Sequence, residues 1–337
     1  MPRISATAAF LTISTLRVLG QSSGGSVSGP PQSATTGMQN YIRMVANLDK
    51  SVAFYREGLG LTLNGPVRDR GADPRIQKMT NTPGSRFRAA TFKIPAEFGF
   101  ELAEFTGIKR TPVRTRVQDP PSSVLSFTVR DLDTTLAALK KAGATVVSVG
   151  GQPVYPGRRG AKAKNIVVRD MDGLFVELFQ PDEVPPGDGN VIAVRIALTS
   201  RSSAKTLGFY GQLLGFTVMP AEGPVVVQAL EDLVDAPAAK ILVDQASIPG
   251  TTTRWSFVEY QGVDHKPARP SLQDPGACAF SLMVRDLAAL ARSLKTAGVE
   301  IITQGGEPVM SSPNAGNIFV RDPNGFILEL IQRDFKP

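Results

Sequence analysis

The sequence holds one cysteine and one histidine in 337 residues, and no apolar run approaching the about twenty residues that a membrane-spanning helix needs. One cysteine cannot close an intramolecular disulfide, so burial must hold the fold together in any redox compartment. Cys278 lies in the run Ala277-Cys278-Ala279-Phe280, the setting of a small buried hydrophobe rather than a nucleophile. A single imidazole, His265, excludes sites built from several histidines. Charge of one sign is scarce as well: the net +7 is spread thinly. Basic residues gather at Lys109, Arg110, Arg114 and Arg116 and again at Arg158, Arg159, Lys162 and Lys164. Neither group interleaves aromatics for base stacking, so no nucleic-acid partner is expected.

What is present is an ordinary globular composition, 42% hydrophobic and 20% charged, in a chain long enough for two or more cores. The first twenty residues read differently. Arg3 precedes an apolar, small-residue stretch from Ala6 to Leu16, and Val18-Leu19-Gly20 offers small or apolar residues where a signal peptidase reads. This segment resembles a secretory signal, which implies export to a periplasm or the exterior; without it the protein is cytoplasmic. Residues 21–37 are rich in Ser, Gly, Thr and Pro and read as a linker too poor in hydrophobes to pack.

From Asn40 onward the chain repeats itself. Phe54-Tyr55 recurs as Phe209-Tyr210, Gln118-Asp119-Pro120 as Gln273-Asp274-Pro275, and Val129-Arg130-Asp131-Leu132 as Val284-Arg285-Asp286-Leu287, each 155 positions on. Asn165 to Asp170 returns as Asn317 to Asp322, and Glu177-Leu178 as Glu329-Leu330, 152 positions on. So many ordered matches establish a duplication with a net three-residue deletion in one loop. Each copy divides again. Leu132, Leu136 and Leu139 form one face of a helix with Asp131 as N-cap, and Leu287, Leu290 and Leu294 form its counterpart after Asp286. A β-like run precedes each helix and three follow it. Residues 40–106 repeat that order, with a helix around Ser51 to Glu57. The chain therefore reads as α+β, with four βαβββ modules starting near Asn40, Val124, Arg195 and Ala279.

The segments Val45 to Leu48, Ser51 to Tyr55 and Gly58 to Leu61 resemble the opening of a glyoxalase-like module. Arg169 to Leu178, with its Asp170-Met171-Asp172-Gly173 turn, and Arg321 to Leu330, with Asp322-Pro323-Asn324-Gly325, look like its closing turn and last strand. The resemblance, to the vicinal-oxygen-chelate superfamily of glyoxalases, bleomycin-resistance proteins and dioxygenases, spans about residues 40 to 334. It implies two fused domains, 38–183 and 190–335, with cup-shaped mixed sheets that take a small molecule. Related proteins often build a cup from two chains, so fusion implies a monomer or homodimer.

In that family the first and last strands of paired modules supply histidine and glutamate to a divalent metal. Transferred here, the first-strand position falls on Asn40, Val124, Arg195 and Ala279, none a histidine. The last-strand carboxylate is kept at Glu177 and Glu329, and the other modules offer Glu101 or Glu104 and Glu259. Glutamates without imidazole suit zinc, nickel or iron(II) poorly, which disfavours the standard metal centre; an oxygen-only site for magnesium or manganese through Glu177 or Glu329 stays open. Two other roles for Glu177 and Glu329 stand side by side: structural hydrogen bonding inside the cup, or general-base catalysis at a carboxylate whose pKa burial has raised. Arg195 at an inward position needs an anion, either a cup glutamate or an acidic ligand. His265 lies in a polar loop that could reach over a cup mouth, and Arg110 is its counterpart in the first copy. The resulting expectation is an enzyme of the glyoxalase or dioxygenase kind, or a protein that sequesters a small molecule.

Overall fold

The computed structural model describes residues 34–155 and 162–334. The signal-like segment 1–20, most of the linker, and Arg158 and Arg159 lie outside the described residues. The first module comprises β1 (Thr35–Met44), α1 (Leu48–Leu59), β2 (Thr62–Leu63), β3 (Arg68–Gly71), α2 (Pro74–Thr80), β4 (Arg86–Lys93) and β5 (Gly99–Thr106). The second contains β6 (Ser123–Val129), α3 (Leu132–Lys141), β7 (Thr145–Val146), β8 (Lys164–Arg169) and β9 (Phe175–Gln180). In the third are β10 (Val191–Thr199), α4 (Ser203–Gly208), β11 (Thr217–Met219), α5 (Gln228–Val234), β12 (Lys240–Ser247) and β13 (Arg254–Gln261). The fourth runs through β14 (Cys278–Val284), α6 (Leu287–Thr296), β15 (Glu300–Ile301), β16 (Val309–Ser312), β17 (Ala315–Arg321) and β18 (Ile327–Gln332). β1 starts at Thr35 because Thr35 and Gly37 already pair with Val284 and Met283, so the polar stretch read as linker gives its last residues to the sheet.

The caps behave as the sequence predicts. Asp131 accepts from the Thr134 amide at 3.0 Å and Asp286 from the Ala289 amide at 2.8 Å, each contact contributing about 1 kcal/mol. Leu132, Leu136 and Leu139 are buried on α3, and Leu287, Leu290 and Leu294 on α6. None of the helices among the described residues is long and apolar enough to cross a membrane.

Strand order settles which modules pair. One sheet runs β15-β17-β18-β14-β1-β5-β4-β2 and the other β11-β12-β13-β10-β6-β9-β8-β7. Modules 1 and 4 thus share a sheet through the antiparallel β1–β14 pair, and modules 2 and 3 through β10–β6. Each sheet draws on both copies of the duplication. The two sheets stack back to back over an aromatic core: Phe100 of one meets Phe127 of the other at 6.4 Å between ring centroids, and Trp255 meets Phe280 at 4.8 Å. The opposite faces form two cups, with separate apolar clusters around Ile42 and Phe105 and around Val124 and Tyr260.

The closing turns tie the modules of one copy together. Asp172 accepts from the Ala46 amide at 2.8 Å and from Ser51 at 2.9 Å, fastening module 2 to the start of α1. Asn324, its repeat, accepts from the Arg201 amide at 2.9 Å and does the same for α4. The turn motif that carries the family resemblance is thus a clamp between neighbouring modules.

Candidate functional site

Side chains alternate across a strand, so register decides which residues share a cup. In the 1/4 cup Asn40 faces Ser281 across β1 and β14, Ile42 is level with Glu101, and Ser281 is level with Glu329. The ring at the cup floor is therefore Asn40, Glu101, Ser281 and Glu329. In the 2/3 cup the equivalent positions are Arg195, Ser126, Glu177 and Ser256. The expected first-strand positions Val124 and Ala279 face the cups too, one pleat away: Ala279 pairs with Ile42 and Val124 with Ala197. Ser126 and Ser281 take the ring places instead. They were missed because antiparallel pairing, and not the order of residues along the chain, fixes which residue stands opposite Asn40.

Glu101 and Glu104 stand three apart on β5 and so point to opposite faces. Glu101 lines the 1/4 cup, whereas Glu104 meets Arg88 at 3.4 Å, and Arg88 reaches Asp49 of α1. Glu259 likewise lies behind its sheet, accepting from the Ser203 amide at 2.7 Å at the start of α4. His265 reaches neither ring. Its nitrogens face the carbonyls of Gln118 and Tyr260, each at 2.8 Å, so it straps a loop to the connection before β6.

The two cups differ in content. The 1/4 cup encloses a cavity of about 250 Å³ walled by Ile42, Met44, Phe105 and Phe319, roofed by Ile76 and Met79 of α2, with Arg68, Arg70 and Arg333 also lining it. At its floor Glu101 Oε2 accepts from Arg68 at 2.5 Å, Asn40 at 3.1 Å and Thr91 at 3.3 Å. Glu329 accepts from Ser281 and, at 2.7 Å, from Asn317, both neutral donors. Burial pushes both carboxyls up in pKa. Arg68 opposes the shift at Glu101 while the charge of Glu329 adds to it, and the Ser281 and Asn317 hydrogen bonds oppose it at Glu329.

In the 2/3 cup α5 contributes Leu230, Leu233 and Val234 to an apolar cluster with Val124, Ala197 and Val258. Glu177 is fully buried and accepts from Asn165 at 3.2 Å. Arg195 makes no direct ion pair among the described residues. Its pKa is lowered by burial, with the charge of Glu177 acting in the opposite direction.

The donors around the 1/4 floor are two carboxylates, an amide and a hydroxyl, and the Glu101 carboxylate is already engaged by a guanidinium. Borderline ions that favour imidazole nitrogen find no such ligand here. The described residues hold no group of three or more His, Cys, Asp or Glu arranged for a metal ion.

The glyoxalase/bleomycin resistance protein/dioxygenase superfamily model matches the chain twice, at residues 37–178 and 192–330. This chain belongs to that superfamily. Among solved structures it is similar to glyoxalase I from Zea mays, at 17% identity over 88% of this chain and 92% of that one, with a TM-score of 0.57. A proposed dioxygenase from Bacillus subtilis aligns at 14% identity over 89% of this chain and 86% of that one, with a TM-score of 0.53. At these identities the likeness concerns the fold. No curated protein matches the sequence. Superfamily membership accounts for the paired βαβββ modules and the cups.

Proposed function

We propose that this superfamily member takes a small molecule into the 1/4 cup and acts on it by proton transfer at Glu329, without the standard histidine-containing metal centre. The observation that carries the reading is the contrast between the floors. In the 1/4 ring Asn40, Glu101 and Glu329 line a cavity, while the 2/3 floor lies under an apolar cluster. Glu101 is matched to Arg68 and acts as a fixed anchor. Glu329 is held directly only by neutral donors, so its carboxyl can exchange a proton without breaking an ion pair, and its raised pKa suits a base working nearer neutrality. Arg68, Arg70 and Arg333 favour a ligand with an anionic or oxygen-rich end, and the apolar walls a hydrocarbon body.

Elemental analysis by inductively coupled plasma mass spectrometry, after incubation with manganese, nickel, zinc or iron(II), tests the metal-free part. We expect no stoichiometric metal. About one ion per chain, lost in Glu329→Ala, would restore a metal-based mechanism. Small-molecule screening by ligand-observed NMR tests the rest. Glu329→Gln should keep the affinity for a cup ligand within a few-fold and lower its turnover at least a hundredfold, the usual scale for a general base. A ligand bound equally well by both forms and converted by neither would mark the protein as a sequestering one.

A further inference from the structure

The two copies of the duplication pack their first helices differently. In the first copy α1 runs unbroken from Leu48 to Leu59 and touches α3 so closely that a Cβ on Gly58 would lie 2.3 Å from Leu139 Cδ2. In the second copy the residue in place of Gly58 is Leu213, and the residue in place of Leu139 is Leu294. Two leucines cannot share that approach. After Gly208 the helix continues as a π turn at Phe209–Leu213, a local widening often found at functional sites. Between this turn and the C-terminal end of α6 lies an open crevice of about 760 Å³.

Its lining has two parts. The apolar part comprises Phe209, Leu213, Ala268, Val299 and Pro323. The basic part comprises Arg201, Lys205, Arg269 and Arg321. Glu300 engages Arg269 and, at 3.1 Å, Arg321. The charged ends of Arg201 and Lys205 form no ion pair among the described residues, and Asp322 is buried, bonded to Tyr210. The opening is thus a partly apolar slot with surplus positive charge, and it shares no lining residue with the 1/4 cavity.

We infer that this crevice is a second ligand site, for a small organic anion with an apolar body, independent of the 1/4 cup. The size falls within the range of small-molecule sites. In the first copy the corresponding helices meet directly at Gly58 and Leu139.

The probe is 2-naphthyl phosphate, titrated calorimetrically into the full chain and compared with neutral 2-naphthol. We expect submillimolar binding of the phosphate and at least tenfold weaker binding of the naphthol. The Arg201→Ala/Lys205→Ala double variant should weaken phosphate binding at least tenfold. So should Ala297→Trp, which fills the slot from an exposed position at the end of α6 without changing charge. Because the cup also favours anions, each titration is repeated in Arg68→Ala, where one binding step should remain. Loss of all binding in Arg68→Ala would place the anion in the cup and overturn the assignment. Equal binding of naphthol in Arg68→Ala, a step there that survives Ala297→Trp, or no binding of either probe would overturn it too. A wild-type dimer that Ala297→Trp converts to monomer would identify a second copy of the chain as the occupant and equally end the small-anion reading.

Discussion

Arg43→Leu should cost about 3–5 kcal/mol of folding stability, the scale for stranding one partner of a buried ion pair. Arg43 is fully buried at the junction of the two sheets. Its guanidinium donates to Tyr55 at 2.7 Å, to the Phe175 carbonyl at 2.5 Å and to Tyr41 at 3.2 Å, and lies 3.4 Å from Asp170. Removing it leaves the buried Asp170 carboxylate, which still accepts from Tyr55 and from the amides of Asp172 and Leu174, without its countercharge, and takes a donor from the Phe175 carbonyl. The repeat provides a comparison, because the residue in place of Arg43 in the second copy is Leu198. There the counterpart of Asp170, Asp322, accepts from the amides of Asn324 and Phe326 and from Tyr210 at 3.0 Å, the equivalents of the Asp172, Leu174 and Tyr55 donors that Asp170 has, with leucine in the arginine's place. Urea unfolding of Arg43→Leu should show a much lower midpoint, and Asp170→Asn added to it should recover part of the loss by removing the stranded charge. A midpoint shift below about 1 kcal/mol, the scale of an exposed pair, would mean the pair contributes little.

Stability should also fall as pH rises from about 4 to about 6. Burial is the main cause pushing both Asp172 and Asp322 up from 3.8 to about 6, and the neighbouring Asp170 charge adds to it at Asp172. Between those values the folded chain keeps protons that the unfolded chain has released, so folding loses free energy with rising pH. The loss is complete above about pH 6. Each carboxyl accounts for up to about 3 kcal/mol, from about 1.4 kcal/mol per pK unit. Asp172→Asn isolates one of them. Asparagine is the natural residue at the repeat position, where Asn324 makes the same backbone contact, so the variant should fold, remove Asp172's share of the slope and gain stability at neutral pH. Unfolding midpoints measured from pH 4 to 7 check this. A slope unchanged in Asp172→Asn would show that Asp172 ionises normally in the folded chain.

Much of this architecture was legible in the sequence because it is local or repeated. The Leu132, Leu136, Leu139 stripe and its Asp131 cap specify a helix without reference to the rest of the chain, and the repeat copies it to Leu287 to Leu294. The short helices α2 and α5 were not legible, since seven-residue segments give too few turns for a periodic signal. Alternation along β5 does show that Glu101 and Glu104 cannot both face one cup, but choosing between them needs the neighbours in space. The pairing of module 1 with module 4 was beyond sequence reading altogether. It joins Asn40 to Ser281, and no local pattern records a contact across that separation. The contrast between the cups was hidden for a similar reason, because it depends on how deeply α2 and α5 settle over their floors.

That pairing also sets an order of events on the ribosome. Modules 2 and 3 are neighbours in the chain, and their strands, from Ser123 to Gln261, can join as soon as they emerge. The 1/4 sheet is built from the earliest and the latest strands of the described chain, β1 to β5 with β14 to β18. Its floor receives Glu329 only after the first three modules and most of the fourth have been made. Until then β1 presents the edge that β14 will cover, next to Tyr41 and Arg43, which belong in the interior. A nascent chain paused before Cys278 would therefore carry a closed inner sheet and an open outer one, and truncation there would abolish the 1/4 cup while sparing its counterpart.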